Sequence, residues 1–226
     1  MEGLFSSLVD LDEDVYRNIV SLRVTEDLFD DLAPGDPEAQ AVAIAAEMRV
    51  KQNIPPDLIS RGFHYTCAIG YPFETQPFMA TRYGDGRYGV WYGSLQFRTT
   101  IYETAFHTKI DILNIEGIDE TVVRERAVYL VHCRALMIDL RGKHKIFPAL
   151  IDDSYTGTQR IGQRVQEEGH PGLLAPSARC EGDNVVVFNP AVLSRPRLNC
   201  YLTYTFDPNR DELTVERNPD EVILRL

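Results

Sequence analysis

No stretch of this 226-residue chain approaches the roughly 18 consecutive apolar residues of a membrane-spanning helix, so a helical membrane protein is not expected. Basic residues are outnumbered, 23 Lys and Arg against 34 Asp and Glu. The resulting formal net charge of −11 argues against a surface that tracks a nucleic-acid backbone, although a local basic cluster can still hold a small anion. Four cysteines, Cys67, Cys133, Cys180 and Cys200, include no C-x-x-C pair. That scatter speaks against zinc and for free thiols in a reducing compartment. The opening MEGLFSSLVDLDEDVY has no basic segment followed by a long apolar run, so it does not read as a secretory signal and the expected location is the cytoplasm. Also missing are G-x-G-x-x-G, a Walker A loop, H-E-x-x-H and G-x-S-x-G, which removes the commonest nucleotide, zinc-protease and serine-hydrolase signatures. No internal repeat or low-complexity tract is visible.

What is present is ordinary globular composition, 44% hydrophobic and 25% charged, enough for one sizeable core. Residues 1–57 read as an N-terminal helical extension. Asp12-Glu13-Asp14 precede Val15, Ile19 and Leu22 at near-helical spacing, and Asp36-Pro37 opens a second helix running to Lys51. Residues 58–226 read as the main domain with a C-terminal β extension, the whole forming one unit. Phe63–Ile69 has strand propensity, limited by Pro72. Val90–Ser94 reads as a strand and Thr99–His107 as a helix on which Glu103 and His107 share a stripe. Arg126–Leu140 is strand-rich but too long for one ordinary strand, so a bend or bulge is expected within it. A helix over Tyr155–Gly169 with Gly169 at its C-terminal cap, short strands at Gly172–Ala175 and Asn184–Phe188, and a closing hairpin over Leu198–Arg217 complete the order. This order predicts an α+β fold rather than a doubly wound parallel sheet.

Four pieces, in order, carry a resemblance: Arg61 in SRGFHY, Arg82 in ATRYGDGRYGVWYGS, Glu103 in TTIYETAFH and Ser177 in GHPGLLAPSARCEGDNVVVFNP. Together they resemble the RES-domain family, named for its Arg, Glu and Ser, the toxin half of bacterial RES–Xre toxin–antitoxin systems. The resemblance spans roughly residues 58–195. An aromatic often follows the first Arg in this family; here Gly62 stands there, with Phe63 and Tyr65 close by.

The resemblance implies a mixed-sheet core like that of ADP-ribosyltransferases and degradation of NAD by phosphorolysis. NAD would then be a substrate rather than a cofactor, inorganic phosphate the co-substrate, and no metal is implied. Arg61, Glu103 and Ser177 are the implied catalytic residues, with Arg82 and Tyr92 binding NAD or phosphate. Cleaving the nicotinamide–ribose bond passes through an oxocarbenium-like transition state, which a carboxylate such as Glu103 can stabilise. The planar fork of an arginine suits a diphosphate or a free phosphate, and Tyr92 could stack on nicotinamide or bond a ribose hydroxyl. Ser177 has no His/Asp relay and reads as a hydrogen-bonding group rather than a nucleophile. His107, Arg87, Arg179 and Asn189 stand in the second rank. The implied partner is an Xre-type helix-turn-helix antitoxin, which would supply any DNA contact; a homo-oligomer is left open. Two alternatives remain: mono-ADP-ribosyl transfer to a protein, and a catalytically silent partner-binding module.

Overall fold

In the computed structural model, which describes residues 3–21, 65–74, 76–115 and 117–226, the chain enters the fold as a strand rather than a helix. Strand β1 (Leu8–Val20) replaces the helix expected from Asp12 onward. The reason is a degeneracy of spacing. Leu11, Val15 and Ile19 lie four residues apart, and residues so placed share a face in either geometry. Val9 breaks the tie, because Val9, Leu11, Val15 and Ile19 all pack on one apolar cluster at period two. The expected helical extension over residues 1–57 therefore contributes a strand to the main sheet. The helix expected over Asp36–Lys51 lies outside the described residues, as does Arg61.

The segment expected as a strand over Phe63–Ile69 also differs where it is described. Thr66–Gly70 forms a single π-type turn running into a short helix, α1 (Tyr71–Glu74). Ala68, Ile69 and Gly70 are consecutively buried, which a two-residue alternation cannot achieve. The carbonyl of Ala68 accepts a 2.7 Å hydrogen bond from Nε1 of Trp91, the single tryptophan, fixing the turn to the sheet. Pro72 is tolerated near the start of α1, where a missing N–H costs little.

Beyond these, the sequence reading and the structure agree closely. Strand β2 (Trp91–Ser94) leads into α2 (Phe97–Leu113), whose Ile101, Ala105, Thr108 and Ile112 form a buried stripe at helical spacing. Strand β3 (Val122–Asp139) spans 18 residues and carries the expected irregularities. Helix α3 (Thr156–Glu167) is followed by strands β4 (Gly172–Pro176), β5 (Asp183–Val187), β6 (Leu193–Asp207), β7 (Glu212–Glu216) and β8 (Val222–Arg225). Gly169 adopts φ +74°, and the amides of Gly169 and His170 return to the carbonyls of Gln166 and Val165, closing α3 with a Schellman cap.

Among the described residues these strands make one mixed sheet in the order β1-β2-β5-β4-β3-β6-β7-β8, an α+β architecture. β1 also pairs antiparallel with β3, from Leu8↔Ile138 to Val20↔Arg126, so the pairings of β1, β2, β5, β4 and β3 come full circle. Among the described residues only β3 and β4 run parallel. Register shifts between β3 and β6 fall at Val128/Tyr129 and Leu130/His132, which lets the long strand bend around the ring. Val15, Trp91, Val185 and Leu174 fill one cluster; Tyr83, Ile161, Leu173 and Val186 fill a second beneath α3; Ile101, Val128, Tyr204 and Phe206 fill a third beneath α2. Cys133, Cys180 and Cys200 are free thiols. Among the described residues no helix is long and apolar enough to cross a membrane.

Candidate active site

Two close approaches bring the functional side chains together. The first is at the start of α2, where Oε1 of Gln96 accepts the amide of Asp183 at 3.0 Å and the hydroxyl of Thr99 at 3.1 Å. This ties α2 to the turn between β4 and β5. A Cβ at Gly182 would stand 2.0 Å from Oγ1 of Thr99, so only glycine permits the contact. The second is at α3, where a Cβ on Gly162 would stand 1.8 Å from the carbonyl oxygen of Tyr83. Helix α3 therefore lies directly against the loop that carries Arg82.

The first contact aims Glu103 at the β4–β5 turn. Oγ of Ser177 donates to Oε1 of Glu103 at 2.6 Å, and Nδ2 of Asn184 donates to the same oxygen at 2.7 Å. Asn184 is itself held by Ser94, whose Oγ donates to its Oδ1 at 2.7 Å; the two residues are register partners on β5 and β2. Ser177 is buried, and its Oγ also accepts the amides of Arg179 (3.1 Å) and Cys180 (3.2 Å). A hydroxyl has one donor and two acceptor sites, and all three are taken. Ser177 thus orients Glu103 and has no spare capacity to act as a nucleophile. Among the described residues Oε2 of Glu103 accepts no hydrogen bond, which leaves that oxygen for a ligand.

The second contact shapes the Arg82 loop. Nε2 of Gln159, on α3, donates to the carbonyls of Thr81 (3.0 Å) and Gly84 (3.4 Å). The hydroxyl of Tyr92 rises from β2 to share a 2.8 Å hydrogen bond with Thr81 Oγ1 and to accept the amide of Tyr83 at 2.9 Å. Burial keeps that phenol well above the usual tyrosine range, so it stays a neutral hydrogen-bonding group. The hydroxyl that the sequence reading offered to ribose is committed to the loop, and Tyr92 reaches the site by positioning Arg82. Arg82 does not pair with Asp85; Arg87 does, at 2.7 Å through Nε. Instead the Arg82 guanidinium lies over the Tyr155 ring, 4.6 Å from its centroid, and donates to the carbonyl of Asp152 at 2.6 Å.

His107, one turn beyond Glu103, reports that these groups share a neighbourhood. It is solvent-exposed, yet nearby protein displaces enough water to lower its pKa; the Glu103 carboxylate opposes the shift, while the Arg179 and Arg82 guanidiniums add to it. A carboxylate and two guanidiniums thus all act on the one imidazole of His107, in a chain whose overall charge is strongly negative. Of the residues nominated from sequence, Glu103 and Ser177 are bonded directly, Arg82 lies within the same field and Tyr92 supports its loop. Asn189 is exposed and caps a short turn by accepting the amide of Ala191 at 3.0 Å, with no bond into this group. The sequence reads Asn184 only as the start of a strand; its place in the site follows from its register with Ser94, which the sequence does not carry.

A family model described as the RES domain matches residues 55–207. The chain belongs to the RES-domain family. The Glu and Ser quoted for the resemblance are thus the hydrogen-bonded pair of this RES domain. No curated protein matches the sequence. A chain of the M. tuberculosis MbcT–MbcA toxin–antitoxin complex, a crystal structure, is similar with a TM-score of 0.49 at 12% identity, covering 89% of this chain and 91% of that one.

Proposed function

We propose that this RES-domain protein cleaves the nicotinamide–ribose bond of NAD, with inorganic phosphate as the acceptor, and acts as the toxin of a toxin–antitoxin pair. The observation that carries the reading is the Glu103 carboxylate, fixed through one oxygen by Ser177 and Asn184 with the other left open. In the reaction the N–C1′ bond breaks with its electron pair going to the pyridine nitrogen, so nicotinamide leaves neutral and needs no general acid. Positive charge then grows on the ribosyl carbon and its ring oxygen. A carboxylate fixed beforehand stabilises that charge without reorganising, which lowers the barrier to the chemical step. A phosphate oxygen supplies the new bond to C1′. Arg82 and Arg61 suit the NAD diphosphate or the attacking phosphate, since a guanidinium fork pairs two phosphate oxygens at once. No resident cofactor or metal enters this scheme.

Family membership also suggests an antitoxin carrying an Xre-type helix-turn-helix as the partner. DNA contact through that partner agrees with a net charge of −11 on this chain. The test is NAD consumption by purified wild-type protein and by Glu103→Gln, which keeps the side-chain shape and removes the charge. The reading expects a loss of about 100-fold or more in the variant. Wild-type turnover in Glu103→Gln would overturn it, and isotope from labelled NAD appearing on a protein would redirect it to ADP-ribosyl transfer.

A further inference from the structure

Arg179 follows the Ser177 turn, and its setting is unusual for an arginine in an ion pair. Its side chain is only 13% exposed, whereas its ionic partner Asp153, at 2.7 Å through Nη1, is 80% exposed. Its Nε is buried with no hydrogen-bond partner. The guanidinium lies over the Phe106 ring, with Cζ 3.3 Å from the ring centroid, and Phe106 is one helical turn from Glu103 on α2. A structural ion pair of this kind would be expected to satisfy the buried donor. Here the more buried partner keeps an unused N–H, and the carboxylate that holds it stands in water.

The neighbouring contact gives this meaning. Arg82 donates to the carbonyl of Asp152 at 2.6 Å, so both guanidiniums lean on two consecutive residues of the loop before α3. Each lies on an aromatic ring, Arg82 on Tyr155 and Arg179 on Phe106, and both act on His107. Two guanidiniums, each over an aromatic ring and each bonded to one of two consecutive residues of one loop, suit a tetrahedral oxyanion, whose oxygens can accept from both forks at once.

We infer that Arg179 is a second phosphoryl-binding arginine of the site, parked on the Asp153 carboxylate until a phosphate group displaces it. Asp153 is well placed to be displaced, because an exposed carboxylate is readily rehydrated and holds its partner weakly. This assignment rests on the proposed function for its biological meaning, but it is a statement about anion binding and can be read without turnover. The phosphoryl group could belong to the dinucleotide or be free orthophosphate.

The experiment is calorimetric titration of the intact protein with orthophosphate and, separately, with ADP, in wild type, Asp153→Asn, Arg179→Gln and the double variant. Asp153→Asn, at an exposed position, should tighten binding of the relevant probe by about 2- to 5-fold, the size of an exposed ion pair. Arg179→Gln should weaken it by roughly 10- to 100-fold, as expected for a lost charge-assisted bond, and should abolish the gain from Asp153→Asn. Shifts confined to orthophosphate place Arg179 on the free anion; shifts confined to ADP place it on the diphosphate; either supports the inference. If Asp153→Asn tightens neither probe, or Arg179→Gln binds both like wild type, the inference is wrong. A protein that shows these shifts and yet leaves NAD intact would refute the proposed function while leaving the anion site standing.

Discussion

Ser177 and Glu103, 74 residues apart in the chain, meet through a 2.6 Å hydrogen bond in which the serine is the donor. The same hydroxyl accepts two turn amides, so the serine is a rigid link between the β4–β5 turn and α2. Removing it leaves Glu103 held by Asn184 alone, so that the carboxylate can shift, and strands two amides. Ser177→Ala is therefore expected to lower kcat for NAD cleavage by about 100-fold, the size of effect that a misplacement of about 1 Å can produce. KM for NAD should change little, because the serine holds the acid and not the substrate. Steady-state kinetics check this, and a raised KM with unchanged kcat would instead place Ser177 on the substrate.

Tyr92→Phe keeps the ring and removes only the hydroxyl that accepts the amide of Tyr83 and bonds Thr81. A buried donor left unpaired costs about 1–3 kcal/mol, which denaturant unfolding will register. Because the lost bonds secure the Arg82 loop, KM should rise while the pH dependence of kcat stays as in wild type.

Gly162→Ala would place a methyl 1.8 Å from the carbonyl oxygen of Tyr83. Neither α3 nor the loop can absorb that contact without moving apart. The expected cost is about 3 kcal/mol of stability, together with displacement of Arg82. The control is Gly157→Ala near the start of the same helix, where the added Cβ meets a side-chain atom at 3.0 Å rather than backbone. The control should lose markedly less.

Asp139, at the end of β3 beside β4, accepts two hydrogen bonds from the Arg141 guanidinium, at 2.9 and 2.7 Å. Those bonds hold its carboxyl below the usual aspartate range. Its stabilising contribution is present above the unfolded pKa of about 3.9 and is lost as pH falls through the lower folded value. Asp139→Asn should thus be less stable at neutral pH, by about 1 kcal/mol or less because the pair is partly solvated, and its stability should fall less steeply in acid. Thermal unfolding between neutral pH and pH 3 measures both effects.

How far the chain could be read in advance depends on what kind of information each residue carries. Glu103 and Ser177 lie in recognisable motifs, and the helix under Glu103 follows from Ile101, Ala105 and Ile112. Strand β1 reads as a helix in sequence because a four-residue spacing fits helix and strand alike, and its partner β3 lies more than a hundred residues away. Thr66–Gly70 departs from the strand expected over Phe63–Ile69 because tertiary contacts, including the Trp91 bond to Ala68, override local strand propensity. For Tyr92 the sequence leaves open stacking on nicotinamide or a bond to ribose, because chemistry alone does not show that Thr81 and the amide of Tyr83 take its hydroxyl. Asn184 and the Arg179–Asp153 pair depend on register and on turn geometry, neither of which leaves a motif.

The central claim is that this RES domain releases nicotinamide from NAD and captures the ribosyl carbon with phosphate. Mass spectrometry of the products from purified protein, incubated with NAD in phosphate buffer and in phosphate-free buffer, tests it most directly. The account predicts free nicotinamide and a phosphorylated ADP-ribose, at a rate that rises with phosphate. Intact NAD under both conditions would contradict it, and unmodified ADP-ribose at equal rates in both buffers would replace phosphorolysis with hydrolysis.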